Sequence, residues 1–141
     1  MAEPVRAAVH IDALPATVFE YFTKPEAMVR WMGEFARLDA RPGGEFAVDV
    51  RGAPVRGHYL ELDPPHRLVI AWGYAGSDRL STGASTVEVR LTADAGGTRV
   101  ELEHRDLPDA ETTGHGTGWR HYLRRLQQAA AGRDPGHDPG M

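Results

Sequence analysis

The first apolar pattern of the chain predicts a half-buried strand. Every second position from Val5 to Ile11 is apolar, and an alternation of period two is typical of a strand with one face in the core. The spacing then becomes helical over residues 15–22, where Pro15 stands at a first helical position and its missing N–H costs no hydrogen bond. A second short helix is predicted from Pro25. The chain therefore begins with a strand and two short helices.

Residues 34–106 predict an antiparallel sheet. Clusters of Pro and Gly at residues 41–44, 51–54, 63–66 and 94–97 divide this segment into short apolar runs. Parallel strands need crossover connections of about a dozen residues, which turns of this length cannot provide. We therefore expect a sheet of about six or seven antiparallel strands, counting the first one.

The turn at residues 94–97 also sets the register of the last hairpin. Closing the hairpin over this turn places Val87 opposite His104 and Val89 opposite Leu102, with all four side chains on one face. The face is otherwise apolar, so we expect it to be buried. His104 is then directed into the core.

The same parity argument applies to the hairpin that turns at residues 63–66. It places Leu60, Ile70 and Trp72 on one inward face of the sheet. His58 falls roughly opposite Trp72 on that face. The sequence therefore predicts a second inward histidine.

The final segment returns to helical spacing and predicts a long amphipathic helix. Its apolar stripe consists of Trp119, Tyr122, Leu123, Leu126 and Ala130. His115 lies one turn earlier on the same stripe, and the glycines between residues 114 and 118 leave the start of the helix open. The layout is α+β: a curved antiparallel sheet wraps around this C-terminal helix, and the two short helices close one end.

The chain is expected to form one domain over residues 1–131, because it contains no long linker or repeat. Residues 132–141 repeat Asp-Pro-Gly without periodicity, and we expect a disordered C-terminal tail. The first residues lack the basic and apolar regions of a signal peptide. No stretch approaches the roughly 20 apolar residues of a membrane span, so the expected location is the cytoplasm.

Composition excludes several classes of function. The 141 residues carry 16 Lys and Arg against 20 Asp and Glu, a net charge of −4, which disfavours binding to nucleic acid or to an anionic membrane. The lack of cysteine excludes disulfides, thiolate nucleophiles and cysteine metal sites. The sequence has no nucleophile elbow, phosphate-binding loop or dinucleotide fingerprint. We therefore predict no cofactor.

Several short motifs follow one another through the domain. They are Pro15 to Phe22 with Thr23-Lys24-Pro25-Glu26, Trp31, Arg41-Pro42-Gly43-Gly44-Glu45-Phe46, Gly57, Asp63-Pro64-Pro65-His66-Arg67-Leu68, Trp72, Gly97-Thr98-Arg99, His104 and Gly118-Trp119. In this order they resemble the START-like (SRPBCC) superfamily of polyketide cyclases and lipid-transfer proteins. Within it they are most similar to the branch named for homologues of the activator of the heat-shock-protein-90 ATPase. The resemblance implies a helix-grip fold whose cavity, between sheet and long helix, binds apolar small molecules in relatives.

The projected interior is the candidate ligand site. Its residues are Met28, Trp31, Phe46, Val48, His58, Leu60, Ile70, Trp72, Val87, Val89, Leu102, His104, His115, Trp119, Tyr122 and Leu126. Most of the aliphatic side chains are expected simply to fill the core. The aromatic ones are favoured as cavity walls, because large amphipathic rings are hard to pack fully and carry polar handles.

The three inward histidines, His58, His104 and His115, have three interpretations. The commonest is a buried neutral imidazole held by hydrogen bonds. The second is a general acid or base acting on an enolisable ligand. Zinc binding by all three is disfavoured, because they come from separate elements without a short-spaced pair. We therefore predict no metal site.

Three functions follow as hypotheses. The first is binding of a small apolar, aromatic or acyl ligand. The second is an enzyme similar to polyketide cyclases and aromatases, with His104 or His58 as proton-transfer group and Tyr122 as donor to a developing enolate. The third is a chaperone-interaction module. The co-chaperones that name the branch carry a further N-terminal domain, so we expect no stimulation of the bacterial chaperone. A homodimer through an exposed edge strand stays open.

Overall fold

The computed structural model describes residues 3–140. Three helices and seven strands follow one another along the chain. They are β1 (Val5–Ile11), α1 (Pro15–Glu20), α2 (Pro25–Met28), β2 (Phe35–Leu38), β3 (Glu45–Val50), β4 (Ala53–Asp63), β5 (Arg67–Tyr74), β6 (Ser85–Asp94), β7 (Gly97–Arg105) and α3 (Asp109–Ala130).

The seven strands form one antiparallel sheet in the order β1-β7-β6-β5-β4-β3-β2. The predicted strand, two short helices, antiparallel sheet and long C-terminal helix are all confirmed. The register of the last hairpin is confirmed too, since Val87 pairs with His104 and Val89 with Leu102. A tight turn at a known position therefore sufficed to place His104 inside, where it is fully buried.

The long helix α3 packs its apolar stripe into the sheet. Trp119, Tyr122, Leu123 and Leu126 are all buried. The short helices reach the same helix, because the hydroxyl of Tyr21 donates to the carbonyl oxygen of Ala129 at 3.1 Å. The helix already begins at Asp109, so its three glycines lie inside it. Packing of one face stabilises this start more than the glycines weaken it.

Strand β4 contains a bulge, and the residues before it face the opposite side of the sheet from the one predicted. Tyr59 pairs with Ile70 and Glu61 with Val69, so Leu60 is an extra residue without a partner in β5. Before the bulge, Tyr59 points inward and is fully buried, and its hydroxyl donates to the carbonyl oxygen of Phe22 at 2.8 Å. The inward placements of His58 and Leu60 are wrong, because both side chains are exposed.

The segment after α3 lies against the body of the protein. The Arg125 guanidinium donates to the carbonyl oxygen of Gly136 at 3.0 Å, and the His121 ring donates to the Asp138 carboxylate at 2.8 Å. These contacts differ from the expected disordered tail. Polar side chains of α3 supply the donors, which the sequence pattern of the tail itself does not reveal. None of the helices within residues 3–140 is long and apolar enough to cross a membrane.

Candidate functional site

A cavity of about 370 Å³ lies between the first half of α3 and the ends of β3, β4 and β5. Its lining is mainly apolar and aromatic, with a few polar groups. The lining residues are Met32, Val50, Arg51, Ala53, Val55, Trp72, Tyr74, Ala110, Glu111, Gly114, His115, Gly118, Trp119 and Tyr122. This cavity lies at one end of the interior that the sequence predicts between the sheet and α3.

Four of the predicted site residues line this cavity: Trp72, His115, Trp119 and Tyr122. Ten others are packed in the core away from it: Met28, Trp31, Phe46, Val48, Ile70, Val87, Val89, Leu102, His104 and Leu126. Trp31, expected as a wall, is 1% exposed and donates its indole N–H to the carbonyl oxygen of Tyr21 at 2.9 Å. Its indole N–H is therefore already hydrogen-bonded within the protein.

The lining residues that were not predicted lie mostly near the ends of strands and helices, and two of them, Gly114 and Gly118, lie inside α3. Tyr74 could have been found, since it follows Trp72 by two positions in β5 and so shares its face. In α3, Gly114 directly precedes His115, and Gly118 follows it by about one turn. No pattern in the sequence pointed to Arg51, which lies in the turn between β3 and β4.

His104 is held in a closed chain of hydrogen bonds. The indole N–H of Trp119 donates to its Nδ1 at 3.0 Å, so that nitrogen carries no proton and the neutral ring is protonated at Nε2. The Nε2–H then donates to Ser85 Oγ at 2.7 Å, and the Ser85 hydroxyl donates to the carbonyl oxygen of Trp72 at 2.7 Å. Both ring nitrogens are therefore satisfied by the protein.

The surroundings of His104 keep it neutral. Burial, assisted by the nearby His115 ring, lowers the pKa of His104 from 6.5 to about 3. A second proton would have to enter at Nδ1, opposite the Trp119 N–H. His104 is thus a structural imidazole, and His58 lies exposed on the strand. The two proton-transfer groups predicted for an enzyme are both absent from the cavity wall.

His115 belongs to the cavity wall and pairs with Tyr74. Its Nδ1 lies 2.8 Å from the carbonyl oxygen of Glu111 and therefore donates to it, as expected one turn apart on a helix. Nε2 is then the acceptor for the hydroxyl of Tyr74 at 3.0 Å. Burial raises the pKa of Tyr74, which keeps its proton on the hydroxyl. The pair is a polar patch of the wall held in place by hydrogen bonds.

Trp72 contributes the polar atom of the wall that lacks a partner. Its ring is 4% exposed and packs against Trp119 with ring centroids 5.1 Å apart. The Nε1–H is buried and makes no hydrogen bond of ordinary geometry within residues 3–140, although it lies close enough to the Tyr74 hydroxyl to lower the pKa of that phenol against the effect of burial. A buried N–H without an acceptor costs about 1–3 kcal/mol, so this position favours a molecule that brings an acceptor atom.

The mouth of the cavity carries Arg51 and Tyr122. The Tyr122 hydroxyl donates to Oδ2 of Asp138 at 2.6 Å, and the Arg51 guanidinium donates to the backbone oxygen of Asp138 at 3.0 Å. Burial and this hydrogen bond raise the pKa of Tyr122. In the part of the chain described, no three His, Cys, Asp or Glu side chains come close enough to hold a metal ion.

The sheet wrapped around α3 defines a helix-grip protein. A sequence model of the activator of Hsp90 ATPase homolog 1-like protein family matches residues 12–131. The chain belongs to this family, as the resemblance in its motifs implied. No curated protein matches the chain.

Solved structures agree with this assignment. An AHSA1-like protein from Rhizobium etli is 46% identical over 99% of this chain and 88% of that chain, with a TM-score of 0.78. CalU16 from Micromonospora echinospora is 31% identical over 90% and 75% of the two chains, with a TM-score of 0.73. The Aha1 dimer from Colwellia psychrerythraea is 16% identical over 92% and 97%, with a TM-score of 0.78. This last likeness is one of fold alone.

Proposed function

We propose that this chain binds a small, flat, apolar molecule in the cavity between α3 and the ends of β3, β4 and β5. The observation that carries the proposal is the wall around Trp72. There, the Trp72 and Trp119 rings pack at a tilt and adjoin an indole N–H that makes no hydrogen bond of ordinary geometry within residues 3–140. Rings of a ligand would pack on this wall, and a carbonyl or hydroxyl oxygen of the ligand would accept the N–H once the ring turns enough to uncover its buried nitrogen.

Size and lining support a small-molecule site. The volume of about 370 Å³ falls within the roughly 300–1,000 Å³ typical of such sites, which are mostly apolar with a few placed polar groups. Here the polar groups are the Trp72 N–H, the His115–Tyr74 pair and the residues of the mouth. We place this binding in the cytoplasm as part of the proposal.

The arrangement supports binding more than catalysis. General acid–base chemistry needs a titratable group within hydrogen-bond reach of the ligand. His104 is enclosed, His58 is outside, and the Tyr122 hydroxyl is engaged by Asp138. The cyclase-like alternative would have to rest on His115, whose two nitrogens both have partners.

The proposal is tested by following the indole N–H signals by proton–nitrogen NMR. Acetylnaphthalene offers rings and a carbonyl acceptor, whereas ethylnaphthalene offers the rings alone. We expect both to bind, acetylnaphthalene more tightly, and only acetylnaphthalene to move the Trp72 N–H signal downfield. Trp31 is the internal reference, because its N–H is bonded to Tyr21 in the core.

The variant Trp72→Phe separates packing from hydrogen bonding. It should bind the two probes with equal affinity, because the aromatic wall remains while the N–H is gone. Failure of both probes to move any wall signal at their solubility limit would overturn the proposal.

A chaperone-binding role is the second candidate, and membership in a family named for an Hsp90 ATPase activator favours it. The measurement is the ATPase rate of a bacterial Hsp90 with and without this protein. We expect no stimulation of the ATPase rate. A saturable rise in rate that Trp72→Phe leaves unchanged would support the chaperone role and separate it from ligand binding.

A further inference from the structure

The C-terminal strap, residues 132–140, places one carboxylate at the mouth of the cavity. The Asp138 carboxylate accepts hydrogen bonds from the Tyr122 hydroxyl at 2.6 Å, from the His121 ring at 2.8 Å and from its own neighbour, the backbone N–H of Gly140, at 2.9 Å. The Arg51 guanidinium holds the backbone oxygen of the same residue at 3.0 Å. Two of these donors, Tyr122 and Arg51, line the cavity.

The donors suit a carboxylate closely. A hydroxyl, an imidazole N–H and an amide N–H surround one anion, and charge-assisted bonds of this kind are about twice as strong as neutral ones. Burial alone would raise the pKa of Asp138, but these hydrogen bonds outweigh it and lower the pKa to about 2. The mouth therefore holds an ionised carboxylate at any physiological pH.

The strap itself is attached only by polar contacts. None of its side chains is buried. Its first two residues bond to the end of α3, through the backbone N–H of Gly132 to Ala129 at 3.0 Å and that of Arg133 to Gln128 at 2.9 Å. Beyond them, besides Asp138, the strap is held by the Arg125 guanidinium, which donates to the carbonyl oxygens of Pro135 at 3.4 Å and Gly136 at 3.0 Å. Three glycines and two prolines lie within these nine residues. A segment without apolar anchors can leave its place at a modest cost in free energy.

We propose that Asp138 occupies the place of a ligand's carboxylate, and that the ligand of this chain is an aromatic carboxylic acid that displaces the strap. The inference rests on the proposed function. The rings of the acid would lie against Trp72 and Trp119, and its carboxylate would accept the Tyr122 hydroxyl beside Arg51. The contact of Asp138 with Tyr122 is then autoinhibitory.

The charges around the site agree with an acidic ligand. The Arg51 and Arg125 guanidinium groups donate to backbone oxygens of the strap, at Asp138 and Gly136, and the His121 ring donates to the Asp138 carboxylate. The acidic side chain of the lining, Glu111, lies 3.6 Å from the Arg79 guanidinium, which offsets its charge. An incoming carboxylate that replaces Asp138 thus finds the same donors and no additional uncompensated negative charge in this lining.

The test compares Asp138→Ala with Asp134→Ala, using naphthoate and acetylnaphthalene as probes in calorimetric titrations. Both variants remove one negative charge from the strap, but the Asp134 carboxylate bonds only to the backbone N–H of Gly136. We expect Asp138→Ala to bind naphthoate about tenfold more tightly than the wild type, since a competing charged hydrogen bond is gone. Asp134→Ala should bind it like the wild type, and acetylnaphthalene should bind all three proteins alike.

A second readout follows the strap in the unmodified protein. Naphthoate should move the backbone N–H signals of Gly136 and Gly140, whereas acetylnaphthalene should leave them in place. If acetylnaphthalene binds but naphthoate gains nothing from Asp138→Ala, this inference is overturned and the proposed function stands. If neither probe binds any of the three proteins, the proposed function fails and this inference fails with it.

Discussion

Trp119 donates its indole N–H to Nδ1 of His104 across 3.0 Å, and this contact fixes which nitrogen of the buried imidazole carries the proton. Because an indole N–H can only donate, His104 must accept there and donate from Nε2 to Ser85. The bond ties the middle of α3 to β7 and, through Ser85, to β6. A group that resembles a catalytic histidine in the sequence therefore serves to join helix and sheet.

The first prediction concerns the stability that this join provides. His104→Phe keeps an aromatic ring of similar shape but leaves the Trp119 N–H without an acceptor. We expect a loss of about 1–3 kcal/mol in the free energy of unfolding, measured by chemical denaturation. His58→Phe is the matched control, since His58 is exposed, and it should change stability by less than about 0.5 kcal/mol. Equal effects of the two substitutions would contradict the structural role.

The second prediction is a pH dependence that His104 causes. Its pKa is about 3 in the folded protein, whereas in the unfolded chain the imidazole has its ordinary value of 6.5. Between these values the unfolded chain binds the additional proton, so the free energy of unfolding falls as the pH falls. From pH 7.5 to pH 5.5, the wild type should lose about 1.4 kcal/mol more than His104→Phe, which has no imidazole to titrate. Parallel stability curves of the two proteins would refute the assignment.

The fold was predictable because its signals are local. Period-two alternation marked β1, and helical spacing from Trp119 to Leu126 marked α3. The turn at residues 94–97 was short enough to fix the register of β6 and β7, which placed His104 correctly. Turns and periodicity thus predicted the antiparallel hairpins and the long helix without any knowledge of tertiary contacts, but not the pairing of β1 with β7.

The residues of the site were less predictable, because irregularities of a single residue decide which side chains of a strand face inward. One extra residue, Leu60, shifts the face of β4 and moves His58 outside while it brings Tyr59 inside. A bulge of this kind leaves no mark in an alternation that is apolar at Tyr59, Leu60 and Leu62 alike. The position of the cavity depends on how closely α3 approaches each strand, which periodicity does not report. The strap escaped prediction because its partners, such as Tyr122, lie elsewhere in the chain.

The third prediction concerns Glu88 on the outer face of the sheet. Its carboxylate is 9% exposed and lies within 2.9 Å of the guanidinium groups of Arg67, Arg90 and Arg105. Hydrogen bonds from Arg67 and Arg105 lower the pKa of Glu88 against the opposing effect of burial. Glu88→Gln removes the negative charge that contacts arginines of three strands, and we expect the free energy of unfolding to fall by about 1–2 kcal/mol in denaturation experiments. This is less than for a fully buried pair, because the arginines are partly exposed.

Glu45→Gln is the control for the third prediction. It breaks the exposed pair with Arg37 on the same sheet, where solvent screens the charges, and it should cost far less than Glu88→Gln. A higher salt concentration should reduce the difference in the free energy of unfolding between wild type and Glu88→Gln only slightly, because buried charges are screened less than exposed ones. A Glu88 variant as stable as Glu45→Gln would show that the cluster contributes no more than an ordinary surface pair.

The fourth prediction contrasts two glycines beside the cavity. Gly57 pairs with Trp72 between β4 and β5, and a methyl group at this position would overlap the carbonyl oxygen of Ala71. Backbone atoms cannot give way as a flexible side chain can, so Gly57→Ala should lower the free energy of unfolding by about 3 kcal/mol or more.

At Gly114, near the start of α3, nothing lies within 4 Å of such a methyl group. Gly114→Ala should therefore raise stability by about 0.5–1 kcal/mol through helix propensity alone. Thermal and chemical denaturation of both variants would measure the contrast, and opposite signs are expected. If Gly57→Ala instead unfolds at the same denaturant concentration as the wild type, the prediction is contradicted. The strands β4 and β5 would then lie farther apart than the placement of Trp72 in the cavity wall requires.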